Sequence, residues 1–230
     1  MVALFIALMF VGCILVDFVV QSLQTRRAAV SAPAGLPLAL PVGLNLTDGH
    51  TWSRPDSSVG VKIGADALLA HAMGAVEKVV LPETGQLVKA GELLFNLDYR
   101  GRTLRVPSPI TGRVVASNPG LVKRPELIVR EPYGAGWICA ITPTEAGDQT
   151  AGVRSGERAT IWLEEEFHRF REFLSRQVAP DLALSVTYPD GGLPAIGALD
   201  QLARSGWDAF EVEFLRLENR AHLVEPCHHI

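Results

Sequence analysis

Three groups of side chains in this 230-residue chain have types and spacings that chemistry uses. Arg100-Gly101-Arg102, followed by Arg105, sets guanidinium groups close enough to hold a carboxylate or a lipid headgroup through forked hydrogen bonds. Glu164-Glu165-Glu166 places carboxylates side by side, as a cation site or an acid–base pair requires. His222, Cys227, His228 and His229 crowd the C-terminus with the nitrogen and sulfur donors that zinc prefers. Each group also has a plainer reading. Arg-Gly-Arg is an ordinary hairpin turn, with Gly101 supplying positive φ and the arginines solvated. An acidic run is usually the solvated first turn of a helix. A structural zinc site needs four ligands on an ordered frame, which a chain end seldom provides. No nucleotide-binding loop, nucleophile elbow or paired-carboxylate site is visible, so the chain reads as non-catalytic, with no metal and no cofactor.

The elements that must position these groups are mostly short. Val59, Val61 and Ile63 alternate as a strand, and Ala65–Met73 reads as a helix closed by Gly74. Val76–Leu81 is a strand, and Pro82-Glu83-Thr84-Gly85 a turn. Further strands are predicted at 92–99, 103–106, 112–116, 126–130 and 136–142, a density that suits a small barrel or sandwich. A weak echo links Val76–Lys89 to Gly112–Lys123, each a short apolar strand, a turn and a Leu-Val-Lys. Beyond these, Leu163, Phe167, Phe170, Leu174 and Val178 recur at helical spacing. A strand is predicted over Leu182–Tyr188, a short helix after Pro194 and a helix around Trp207, Phe210 and Phe214.

Bulk composition narrows the function classes. Charged residues make up 20% of the chain and the net charge is -4, with no long block of one sign, which argues against nucleic acid as the main partner. The 3 cysteines, Cys13, Cys139 and Cys227, are far apart and odd in number, so a disulfide framework is not expected. Val2–Val16 carries no charge, and Arg26-Arg27 follow the apolar run. A helix of about 19 residues spans roughly 28 Å, close to the thickness of a bilayer's hydrocarbon. With nothing basic ahead of it, the run reads as an uncleaved anchor with its C-terminal side in the cytoplasm. Prolines at 33, 37 and 41 make the next stretch a semi-rigid tether.

Several segments between 50 and 142 carry a resemblance. His50-Thr51-Trp52, Leu81-Pro82-Glu83-Thr84-Gly85 with Lys89-Ala90-Gly91-Glu92, Ser108-Pro109-Ile110-Thr111-Gly112-Arg113-Val114-Val115, Pro125-Glu126-Leu127-Ile128 and Pro132–Trp137 occur in the order found in the H protein of the glycine cleavage system. The chain resembles that family across this region without a large gap. The resemblance implies a barrel-sandwich hybrid in which a lysine at the tip of the central hairpin carries lipoate through an amide bond. Counted from either flank, that position falls on Gly101, which has no amine. The chain's lysines are Lys62, Lys78, Lys89 and Lys123, none of them in Arg100–Arg102. The carrier function is therefore not carried over.

The sequence thus predicts an α+β protein with an N-terminal transmembrane helix (1–27), a Pro/Ala-rich tether (28–49), an H-protein-like β domain (50–145) and a small C-terminal α/β extension (146–230). The expected role is a non-catalytic accessory subunit of a respiratory- or photosynthetic-type complex, using the β domain as a scaffold. Expected partners are integral membrane subunits and the lipid bilayer, with no nucleic acid. The expected location is the cell inner membrane, single-pass, with the β domain on the cytoplasmic side. The alternatives are a carrier modified at another lysine, or a small-anion sensor acting through Arg100 and Arg102. Arg100, Arg102 and Arg105 are the candidate contacts for an anion or a partner.

Overall fold

Alternation of inward and outward side chains organises the centre of the chain into two antiparallel sheets. The computed structural model describes residues 40–144, 152–177 and 193–216, all of them within one compact unit, Leu38–Ile230. Ten strands follow in chain order: β1 Asn45–Leu46, β2 Thr51–Asp56, β3 Gly60–Ala65, β4 Lys78–Val80, β5 Leu87–Val88, β6 Leu93–Tyr99, β7 Arg102–Pro107, β8 Gly112–Ser117, β9 Cys139–Pro143 and β10 Arg154–Ser155. One sheet has the order β10-β1-β2-β3-β9-β8-β5 and the other β4-β6-β7. Trp52, Ile63, Phe95, Leu97, Leu104, Val114 and Ile141 are buried in the β core. Trp52 is held in register as well as packed, because its indole N–H donates to the carbonyl of Pro132 at 2.9 Å.

The predicted helix after β3 is present as α1, Ala67–Met73. Asp66 caps it by accepting the Leu69 N–H, and Gly74 ends it at φ 66, a left-handed position that favours glycine. One segment predicted as strand, 126–130, is helical instead, as α3 Leu127–Arg130, and a further short helix, α2 Gly120–Lys123, precedes it. Pro119 and Pro125 stand just ahead of them, and a proline lacks the N–H a ladder needs while its fixed φ suits a first helical turn. The Leu-Val-Lys echo is therefore one of sequence only: Leu87-Val88 is a strand and Leu121–Lys123 lies in α2.

The long helix predicted from Leu163 and Phe167 is α4, Gly156–Gln177, and α5, Arg204–Phe214, settles the Trp207 region as helix. Their apolar faces meet in an aromatic cluster of Phe170, Phe173, Phe210 and Phe214, with ring centroids 4.9–6.3 Å apart. A 3₁₀ turn, Ala198–Gln201, precedes α5. The predicted boundaries at 49/50 and 145/146 are both crossed by the larger sheet, since β1 pairs with β2 on one side and with β10 on the other. The predicted anchor (1–27), the Leu182–Tyr188 strand and the His222/Cys227/His228/His229 group lie outside the described residues. Among the described residues no helix is long and apolar enough to cross a membrane.

The extension meets α1 with almost no clearance. A Cβ on Gly74 would lie 2.5 Å from Gly197 Cα, while the Gly197 N–H donates to His71 O at 2.8 Å. Across the same contact, His71 Nε2 donates to Pro194 O at 2.6 Å. Gly74→Ala adds both this clash and a side chain at positive φ. It is expected to cost about 1–3 kcal/mol, read as a lowered urea midpoint with unchanged slope.

Candidate functional site

The hairpin between β6 and β7 sits where the sequence places the family's carrier lysine. Tyr99 pairs with Arg102, so the turn is the two residues Arg100-Gly101. Both have positive φ, 49 and 71, the signature of a type I′ turn whose twist matches that of its strands. Glu77 supports the turn by accepting the Arg100 N–H at 3.1 Å, and Thr103 donates its hydroxyl to Asp98 at 2.7 Å. A Cβ at Gly101 would meet nothing within 4 Å. The tip is thus open at residue 101 itself, and no amine stands there.

The candidate arginines are all engaged by the chain's own C-terminal residues. Arg100 Nη1 lies 2.5 Å from Asp200 Oδ2. Arg102 Nη1 donates to Leu202 O at 2.5 Å, and its guanidinium lies over the Trp207 ring, 5.4 Å from the centroid. Trp207 is fixed in turn by its indole N–H, which donates to Leu199 O at 2.7 Å. Arg105 gives its backbone N–H to Glu211 Oε1 at 2.9 Å and its Nη2 to Oε2 at 2.7 Å. That hydrogen-bonded carboxylate raises the Arg105 pKa above its ordinary value. The arrangement holds two elements together and leaves no pair of convergent, unoccupied guanidinium groups for a small anion.

A second polar cluster lies in the interior. His50 is fully buried, with Nδ1 2.8 Å from Asp66 Oδ2 and Nε2 3.3 Å from Glu166 Oε2, the latter an ion-pair contact without hydrogen-bond alignment. Glu166 also pairs with Arg169 at 2.7 Å, and Arg169 donates to Glu213 O at 2.9 Å. Trp162 stacks on the imidazole with centroids 5.3 Å apart. Burial by itself pushes the imidazole down, but the Asp66 carboxylate, joined by Glu166, outweighs it and raises the pKa to about 9. Protonated His50 and Arg169 then balance Asp66 and Glu166. The cluster ties the β domain to α4.

The acidic run Glu164-Glu165-Glu166 divides accordingly. Glu164 and Glu165 are exposed, as a solvated helix face requires, whereas Glu166 is buried. The signal for Glu166 is its helical register: it shares the face of Leu163, Phe167 and Phe170. Glu211 carries a similar signal, four residues after Trp207 and three before Phe214.

Two sheets of short strands around a central hairpin, closed by a helix, define the barrel-sandwich class of carrier-type domains. Residues 44–166 match the glycine cleavage H-protein family, and the chain belongs to it. The glycine cleavage system H protein of Thermus thermophilus is 34% identical over 102 residues, covering 44% of this chain and 79% of that protein. That of Magnetococcus marinus is 32% identical over 127 residues, covering 55% and 89%. A solved glycine cleavage system H protein from Mycobacterium marinum aligns at 26% identity with a TM-score of 0.47, over 54% of this chain and 99% of that one. The family match extends into α4, past the point where the sequence motifs end. These relatives also correct the localisation. They are glycine cleavage system H proteins, and among the described residues no helix can span a membrane, so a single-pass inner-membrane protein is not supported. The longest described helix, α4, carries Glu and Arg throughout and packs its apolar face on α5.

Proposed function

We propose that this chain is a non-catalytic, non-lipoylated member of its family that serves as a protein-interaction scaffold within a larger assembly. The observation that carries this reading is the hairpin tip. Residue 101 is glycine, its turn neighbour is arginine, and an amide to lipoate needs a primary amine. Arginine does not substitute, because its guanidinium stays protonated and is a poor acyl acceptor. The flanking arginines support the reading further, being committed to contacts within the chain. Exposed apolar side chains such as Leu87, Val115 and Val122 offer contact surface.

Affinity purification of the full-length chain from its own cells, under gentle conditions, tests the scaffold role. At least one companion protein is expected to co-elute in constant ratio across preparations. A chain that runs alone as a monomer at every salt concentration would overturn it.

A further inference from the structure

We infer that residues 193–216 form a built-in cap on the hairpin, covering the β7 edge and engaging the arginines that flank Gly101, so that proteins reading this edge are kept from docking there. The inference rests on the non-lipoylated reading above and adds a second barrier to it: access as well as chemistry.

β7 is an edge strand, since the smaller sheet has the order β4-β6-β7. Edge strands present unpaired N–H and C=O groups to any passing strand and are usually protected. Here the protection is specific. The Glu211 carboxylate takes the Arg105 backbone N–H and the guanidinium of the same residue, with its side chain only 7% exposed. One residue pair therefore removes both a backbone donor and a positive charge from that edge. Closer to the tip, Trp207 covers Arg102 and Leu202 O binds it, while Asp200 neutralises Arg100.

The cap is not a loose tail. Gly197 is seated on α1 through His71 and Gly74, and α5 is seated on α4 through the phenylalanine cluster. Contacts to the hairpin thus fall between two anchored points, and each of the three arginines meets a different part of the cap. The order of Arg100, Arg102 and Arg105 along the hairpin matches that of Asp200, Leu202 and Glu211 along the cap. The cap thus touches the β7 edge at Arg102 and at Arg105, the two points where α5 and the turn before it lie against the strand.

The test restores the amine and varies only the cap. Full-length Gly101→Lys and Gly101→Lys/Asp200→Asn/Glu211→Gln are incubated with lipoate, ATP and a bacterial lipoate–protein ligase, alongside wild type. In this reaction ATP activates the lipoate carboxyl as its adenylate with loss of pyrophosphate. The lysine Nζ then forms the amide, releasing AMP and a proton. Lipoylation is read by intact mass, and folding by thermal melting. The cap-loosened variant is expected to be modified about tenfold faster than Gly101→Lys, the factor that the loss of one good polar contact corresponds to. Equal rates in the two, including none in either, would overturn the cap. Gly101→Lys/Asp200→Asn, altered at a partly exposed side chain, replaces the triple variant if that does not fold. An adduct on wild type would instead overturn the non-lipoylated reading and leave the cap standing, so the two failures are distinguishable.

Discussion

Replacing His50 by leucine is expected to destabilise the fold by about 3–5 kcal/mol, the usual consequence of removing one partner from a buried charge cluster. Leucine fills much of the space, but Asp66 and Glu166 are left facing each other without the cation between them. The pH dependence gives the sign of the electrostatic part. In the folded chain His50 titrates near 9, above the 6.5 of an unperturbed histidine. Its contribution is therefore complete below pH 6.5 and is lost as the pH rises through 9. Its full size is about 3 kcal/mol, from a shift of that extent at 1.36 kcal/mol per unit. Urea unfolding of wild type across pH 6 to 10 should show this fall, and His50→Leu should show it much reduced. An equal slope in both proteins would mean that another group carries the alkaline loss.

Phe210→Ala is expected to cost a similar amount, about 3–5 kcal/mol, as a large-to-small change at a site with no exposed surface. Phe210 touches Phe170, Phe173 and Phe214, so the cavity opens where α5 is fastened to α4. The neighbouring Glu211 should then lose its fixed position against β7. Faster hydrogen exchange at the Arg105 amide is expected together with the loss of stability, whereas amides in β2 and β3 should follow global unfolding. If the stability loss came without any change at Arg105, α5 would not be what holds the carboxylate in place.

The fold is largely legible in the sequence because the informative residues are local. His50-Thr51-Trp52, Leu81–Gly85 and Ser108–Val115 each specify a turn or strand through neighbours a few positions away. The position of Gly101 at a hairpin tip follows from the same register. The apolar runs at Leu121–Lys123 and Leu127–Arg130 fit either period, and the strand reading made for 126–130 fails. Pro119 and Pro125, as helix starters, are the cue that decides between them. The partners of the arginines are not legible at all. Asp200, Leu202 and Glu211 lie about a hundred residues further along the chain, and nothing in their local pattern says which face they cover. His50 is visible as part of a motif, but its second carboxylate comes from an acidic run that reads as solvated. Only the helical face shared with Leu163 and Phe170 distinguishes Glu166 from Glu165.

The central claim, that this family member carries no lipoate, is decided by the intact mass of the full-length chain purified from its own cells. The expected mass is that of the polypeptide without a lipoyl group, under conditions where a lipoylated family member from the same cells shows the adduct. A lipoyl adduct on Lys62, Lys78, Lys89 or Lys123 would contradict the claim and return the chain to the carriers.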